Sequence, residues 1–259
     1  MNLHFQKYQG AGNDFVIVDN RAAYFDKNDT ALVAHLCDRK FGIGADGLML
    51  LQPGQDCDFE MIYFNSDGNE GSMCGNGGRC IVAFAHALGL ISTTTRFLAI
   101  DGLHEAVVEK PNYIKLKMSD VRNIERGDNC FYMNTGSPHY VQFVNGLSDK
   151  DVFSDGRAVR YNNRFKNEGT NVNFVEIEDD GLFVRTYERG VENETLACGT
   201  GIVASSLAAA LKENNGKTSY PIKALGGILN VRFTRYNDEF TDIWLEGPAM
   251  KVFEGVIEI

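Results

Sequence analysis

The chain has 259 residues and a formal net charge of −10. That length holds one large domain or two of ordinary size, with an apolar core that needs neither disulfides nor metals for support. The acidic balance without any polybasic run excludes a nucleic-acid surface. No apolar run reaches the roughly 18 residues of a membrane helix, and the opening MNLHFQKYQGAGNDF lacks the regions of a secretory leader, so no membrane partner and a cytoplasmic setting are expected.

In chain order, Phe15 to Asp19 is a short β-type run. Thr30 to Arg39 reads as a helix, with Ala31, Leu32, Leu36 and Cys37 on its buried face. Gly42, Gly44 and Gly47 punctuate a loop. Leu48 to Leu51 and Phe59 to Phe64 read as strands. Gly75 to Leu88 is a helix, with Gly89 placed to end it. Phe97 to Asp101 and Glu105 to Met118 continue as strands, the latter folded at Pro111-Asn112 into a hairpin. The pattern then restarts with strands at Asn173 to Ile177 and Leu182 to Glu188, and a helix at Gly199 to Leu211. Leu225 to Phe233 and Thr241 to Leu245 are strands, and Met250 to Ile259 is a last one that can return to the first half.

The restart is a repeat. FEMIYFNSDGNEGSMCGNG (59–77) lies on FVRTYERGVENETLACGTG (183–201) without a gap. Phe59/Phe183, Tyr63/Tyr187, Asn69/Asn193, Glu70/Glu194, Cys74/Cys198, Gly75/Gly199 and Gly77/Gly201 coincide. A fainter echo joins Asn13-Asp-Phe15 to Asn171-Val-Asn-Phe174. The expected fold is α+β: two pseudo-symmetric domains, 1–119 (with 250–259 possibly added) and 120–249, each with strands around a central helix, and a site in the cleft between them.

Six cysteines stand at 37, 57, 74, 80, 130 and 198. In a long cytosolic chain they are not a disulfide framework. Five residues separate Cys74 from Cys80, which is poor spacing for a metal, so no metal is expected. A cysteine before a helix is most often a small buried hydrophobe. Two of them at matched positions of a repeat, each in Cys-Gly-x-Gly, point to chemistry.

A glycine-rich turn entering a helix leaves backbone N–H groups unpaired at the positive end of the helix dipole. Such a turn binds carboxylates and stabilises a thiolate. Two such thiols flanking one small molecule suit inversion at a carbon. One thiolate removes a proton from one face and the other thiol delivers one to the opposite face. The N–H groups take up the charge that spreads onto the carboxylate. No electron-sink cofactor is required, and the remaining cysteines read as packing residues.

The motifs GAGNDF (10–15), GIGADG (42–47), FNSDGNEGSMCGNGGRC (64–80), GSPH (136–139), TNVNFV (170–175) and YERGVENETLACGTG (187–201) run through most of the chain. Together they resemble the diaminopimelate epimerase family, amino-acid epimerases that work without pyridoxal phosphate. The resemblance implies interconversion of LL- and meso-2,6-diaminopimelate in lysine and peptidoglycan precursor synthesis, and a homodimer. It implies that Cys74 donates a proton and Cys198 accepts one in the LL-to-meso direction. Gly75, Asn76, Gly199 and Thr200 would hold the carboxylate at the reacting centre. Asn13, Asn65, Asn171, Glu188 and Arg189 would bind the substrate, with Ser137 beside them, and His139 and Glu188 would tune the sulfurs.

An Arg fork suits a distal carboxylate, and Asn side chains offer both donors and acceptors to an ammonium–carboxylate pair. Three features depart from the family pattern: Gly47 stands where Gln is common, Ser137 stands where Asn is common, and the loop from Arg189 to Cys198 is one residue longer through Glu192-Asn193. The rival readings are a proline or hydroxyproline racemase, which would not need Arg189, an isomerase using a carboxylate base, and a redox or metal-binding module.

Overall fold

The computed structural model describes residues 2–259; Met1, where the expected first domain begins, lies outside them. Among the described residues seventeen strands and four α-helices follow one another. The first group is β1 (Asn2–Gly10), β2 (Asn13–Asp19), α1 (Thr30–Cys37), β3 (Gly47–Pro53), β4 (Phe59–Asn65), α2 (Gly75–Ala87), β5 (Thr94–Ala99), β6 (Gly102–Lys110) and β7 (Tyr113–Met118). The second is β8 (Glu125–Arg126), β9 (Cys130–Asn134), β10 (Pro138–Phe143), α3 (Val152–Arg160), β11 (Asn171–Glu178), β12 (Gly181–Glu188), β13 (Asn193–Thr195), α4 (Gly199–Glu213), β14 (Ser219–Ala224), β15 (Gly227–Tyr236) and β16 (Glu239–Pro248), followed by β17 (Met250–Glu258). The chain divides into two compact units, 2–116 with Gly247–Ile259, and Lys117–Glu246.

In the first unit β17 pairs antiparallel with β1, and β1 with β2. β2 runs parallel to β3, β3 antiparallel to β4, β4 parallel to β5, and β5 to β7 form a meander. The tight link from β1 to β2 uses Ala11 and Gly12, both at positive φ, the two-residue turn whose twist matches its strands. The Pro111-Asn112 turn sits where expected: Lys110 pairs with Tyr113, and Asn112 has a φ of 63°.

The second unit repeats this order. β9 is antiparallel to β10, β10 parallel to β11, β11 antiparallel to β12, β12 parallel to β14, and β14 to β16 form a meander. The equivalence of 59–77 and 183–201 is therefore topological: Phe59 pairs with Phe97 of β5, as Phe183 pairs with Lys223 of β14.

The echo between Asn13 and Asn171 does not hold. Asn13 opens β2, whose counterpart is β10, whereas Asn171 opens β11, the counterpart of β3. Strands of a parallel pair buried on both faces have similar apolar runs, and that likeness produced the false match.

Each unit wraps its strands around one helix. Eleven of the thirteen residues of α2 and twelve of the fifteen of α4 are buried, which marks both as core helices rather than surface ones. The shorter helices cover the opposite sheet faces. Val33, Leu36 and Cys37 of α1 pack with Val16, Val18, Leu48, Leu50, Ile62 and Phe64. Val152 of α3 packs with Val172, Phe174, Phe183 and Tyr187.

Several expectations need correction. The first helix ends at Cys37 because Asp38 turns extended, and Ala31 is exposed with Leu32 only half-buried. Its buried stripe starts at Val33, set by the Asp29 side chain, which caps the helix by accepting from the Leu32 N–H. β5 lies at Thr94–Ala99, since Ile100 and Asp101 belong to the turn, and Leu225-Gly226 is likewise a turn before β15. Strands β1, β9, β10 and β14 and helix α3 carried no expectation. α3 is short and carries Gly156 on its buried face, where a Cβ would lie 2.4 Å from Cβ of Tyr187.

Candidate active site

In the first unit Cys74 is the N-cap of α2, in extended conformation. Its sulfur accepts the Gly77 N–H at 3.2 Å, and its thiol lies 3.8 Å from Oδ1 of Asn13. Asn13 is aimed by its other end, since Nδ2 donates to Asp46 at 2.6 Å. Asp46 and Asp14 are gripped by Arg39, and Lys7 pairs with Asp14 at 2.8 Å. Those cations hold the Asp14 carboxyl at about 2, below its usual range, although burial acts against them as the largest single influence.

The remaining residues of this unit fall into two groups. Gly75 and Asn76 form the buried first turn of α2. Asn65 is the exposed end of β4, opposite Gly47. A Cβ at Gly47 would lie 2.5 Å from Cε2 of Tyr63 and 2.5 Å from the carbonyl oxygen of Phe64. The Tyr63 ring occupies the space in which a longer residue at 47 would begin.

In the second unit Cys198 is the N-cap of α4, 6% exposed, with Sγ 3.6 Å from Oγ1 of Thr200. Thr200 Oγ1 is 2.9 Å from Nε2 of His139, and the Thr200 carbonyl accepts from the Thr135 hydroxyl at 2.9 Å. His139 is wholly buried, and burial lowers its pKa to about 3, so the ring is neutral.

Its tautomer is decided by Asn173. That amide nitrogen donates to the Tyr140 carbonyl at 3.1 Å and faces His139 Nδ1 at 3.0 Å, while its Oδ1 accepts from Thr186. A carbonyl can only accept, so the Asn173 amide is oriented, and Nδ1 must be an acceptor. Nε2 therefore carries the hydrogen and donates to Thr200, which leaves the Thr200 hydroxyl free to donate to sulfur.

Asn171 ties the neighbouring loops together. Its Nδ2 donates to Ser137 Oγ at 2.9 Å and to the Pro138 carbonyl at 3.1 Å, and its Oδ1 accepts the Arg189 N–H at 2.9 Å. Arg189 is exposed and donates to the Glu168 carbonyl. Glu188 accepts from Thr195 at 2.8 Å. The longer loop is pinned by Glu192, which takes the hydroxyls of Tyr161 and Tyr187 and lies 3.3 Å from Arg160. Glu194, which recurs in the repeat, is held by a two-pronged pair with Arg185.

Three of the remaining cysteines have local packing roles: Cys37 and Cys80 are buried, which pushes their thiols upward, to about 12 for Cys37, and Cys57 donates to the Phe59 carbonyl.

Two contributors went unread in the sequence. Asn173 stands two residues after Asn171 on one strand, hence on the same face, and that spacing was the available signal. The other is Gly201: a Cβ there would lie 2.3 Å from Asn173 Oδ1 and 3.3 Å from His139 Cε1, so the glycine makes room for the chain's own polar network.

Known proteins place this arrangement. The family model described as Diaminopimelate epimerase matches residues 5–122 and 131–252. A diaminopimelate epimerase of Flavobacterium psychrophilum is 50% identical over 98% of this chain and 100% of its own length. That of Chlorobaculum tepidum is 43% identical over 96% and 99%. Among solved structures, a PhzF-family phenazine biosynthesis protein of Bacillus anthracis has a TM-score of 0.76 at 14% identity, covering 100% of both chains. A probable proline racemase of Agrobacterium radiobacter has a TM-score of 0.70 at 13% identity, over 99% of this chain and 93% of its own. These last two share the fold. With the sequence match running nearly end to end and both Cys-Gly-x-Gly turns opening buried helices, the chain belongs to the diaminopimelate epimerase family.

Proposed function

We propose that this protein interconverts LL- and meso-2,6-diaminopimelate, with Cys74 and Cys198 as the two acid/base groups and no cofactor. One observation carries the reading: in each unit the repeated cysteine caps the N-terminus of the central helix, where unpaired N–H groups and the helix dipole favour a thiolate and a bound carboxylate. The family match supplies the substrate.

In the LL-to-meso direction Cys198 takes the α-proton and Cys74 delivers one to the opposite face. The roles exchange in reverse. The N–H groups of Gly75, Asn76, Gly199 and Thr200 stabilise the charge that moves onto the carboxylate. Asn13, Asn65, Ser137, Asn171, Glu188 and Arg189 bind or frame the rest of the substrate, and Arg189 is the partner for the distal carboxylate. Asn171 does so by holding the Ser137 loop and the Arg189 backbone. Among the tuning groups, His139 acts on Cys198 through Thr200.

The small-molecule substrate, the cytoplasmic setting and the homodimer belong to the same proposal; among the described residues no helix is long and apolar enough to cross a membrane. The test is deuterium uptake at the α-carbon of LL-diaminopimelate in heavy water without added cofactor. Uptake accompanied by meso product is the expected result. Uptake with proline but not with diaminopimelate would transfer the reading to the racemases.

A further inference from the structure

Arg79 lies four residues into α2 and is wholly buried. It donates through Nη1 to the Gly75 carbonyl at 3.0 Å and through Nη2 to Asn76 Oδ1 at 2.8 Å, while Nε has no hydrogen-bond partner. Among the described residues no carboxylate pairs with it. The end of β1 seals it in: a Cβ on Gly10 would lie 3.2 Å from the Asn76 carbonyl oxygen and 3.5 Å from Arg79 Nη2.

A buried cation without an anion is costly. This one sits in the first turns of a helix, where the dipole is already positive. Burial pulls its pKa down, and the groups that act the other way are Cys80, Cys74 and Tyr113.

The other titratable groups packed on α2 do not supply the missing charge. Tyr8 of β1 is pushed up to about 12 and stays neutral. The carboxylates of β2 are committed, Asp14 to Lys7 and Arg39, and Asp19 to Arg21. Of the acids on β6, Glu109 pairs with Lys115 and Glu105 is exposed, and His104 of the same strand pairs with Asp101. Glu254 of β17 pairs with Lys251. Cys80, the first of those influences, is held as a neutral thiol by its burial, and Tyr113 carries the Lys110 ammonium over its ring; the anion that remains at this helix end is the Cys74 thiolate.

We propose that Arg79 is a positioning residue for the first thiol: its buried guanidinium is the standing countercharge of the Cys74 thiolate, and its fork sets the Asn76 amide in the carboxylate-binding turn. The second unit has no such device. Position 79 corresponds to Val203 in the repeat, and Cys198 is served instead by the neutral pair Thr200 and His139. The two thiols therefore differ in electrostatic support. This rests on the two-thiol reading, but it is tested without substrate.

The experiment measures alkylation of Cys74 by iodoacetamide from pH 5 to 10 in the full chain carrying Cys198→Ala, with tandem mass spectrometry assigning the modified residue. With Arg79 present, the midpoint should fall below the free-thiol value of about 8.5. Arg79→Gln should raise it by about one unit, a roughly tenfold lower rate at neutral pH, and Arg79→Lys should restore most of the shift. Cys198, read in a Cys74→Ala chain, should not respond to Arg79→Gln.

A Cys74 midpoint at or above 8.5 with Arg79 in place overturns the proposal, and that measurement needs no folded Arg79 variant. An unchanged midpoint in a folded Arg79→Gln chain overturns it as well. Lost turnover of diaminopimelate with the alkylation shifts intact would instead count against the substrate reading.

Discussion

Nε2 of His139 and Oγ1 of Thr200 stand 2.9 Å apart, one on strand β10 and the other in the first turn of helix α4. Because the ring is neutral and its other nitrogen accepts from Asn173, hydrogen bonding runs from His139 through Thr200 toward the sulfur of Cys198. Removing the hydroxyl with Thr200→Val should lower kcat roughly 10- to 100-fold, the worth of one hydrogen bond to a charged group at about 1.5–3 kcal/mol. KM should change less, because in the proposed reading the substrate carboxylate meets the Thr200 backbone N–H rather than its side chain. Thr200→Ser keeps the hydroxyl and should keep most of the rate. Steady-state kinetics in both directions decide it.

Asn173 sets the tautomer, so its replacement by a charged isostere should reverse it. Asn173→Asp places a carboxylate against Nδ1, which favours the imidazolium and turns Nδ1 into a donor. The titration of His139 should then rise from about 3 toward or above the ordinary histidine value. Proton–nitrogen NMR of the imidazole reads both the tautomer and the midpoint. A ring that keeps its midpoint would show that Asn173 does not govern it.

The same burial makes stability depend on pH. His139 is depressed in the folded chain to about 3, whereas the unfolded chain titrates near 6.5. Between those values the unfolded state holds one more proton, so stability falls as pH drops from about 6.5 to 3, by about 1.4 kcal/mol per unit from this group. Asp14 contributes the usual carboxylate case: its folded value is near 2, so its contribution is present above about 3.9 and is lost as pH falls toward 2. Urea unfolding across this range should show the histidine slope in the parent chain. His139→Gln should remove the slope between pH 6.5 and 4 while leaving the carboxylate loss below it.

The corresponding glycines of the two turns should behave differently. Gly201→Ala pushes a methyl to 2.3 Å from Asn173 Oδ1, and overpacking of this kind costs about 1–3 kcal/mol. At Gly77 the nearest atom to an added Cβ is Cys74 Sγ at 3.3 Å. There the gain in helix propensity, about 1 kcal/mol, offsets most of the crowding. Thermal melts should rank Gly201→Ala well below Gly77→Ala, and two equal losses would count against the network as the reason for Gly201.

Either thiol alone should fail to complete the inversion. Cys74→Ser and Cys198→Ser are each expected to lose most epimerisation, since a serine hydroxyl neither ionises near neutral pH nor matches a thiol as an acid. A serine variant that retains near-normal turnover would sink the two-thiol assignment. Air oxidation gives an independent reading: a Cys74–Cys198 disulfide, formed on standing and reversed by a dithiol, is the expected product.

Some of this was legible in the order of residues. The gap-free repeat of 59–77 on 183–201 specified two like strand–turn–helix units, and the fold carries them at equivalent places in two sets of strands paired in the same order. The two cysteines at helix starts were equally readable, because glycine-rich turns before apolar runs are local signals. Strands β9 and β10 and helix α3 were not, since short half-buried elements draw their stability from packing partners far along the chain.

What the sequence by itself determined is the repeated scaffold and the two cysteines that open its central helices, because periodicity and turn chemistry act within a few residues. Only the tertiary structure decided which side chains are shut in around the start of each helix. Arg79 is enclosed by β1 in the first unit, and His139 with Asn173 backs Thr200 in the second. Those environments depend on which side chains are shut away from water together, and burial of that kind exists only once distant strands have paired.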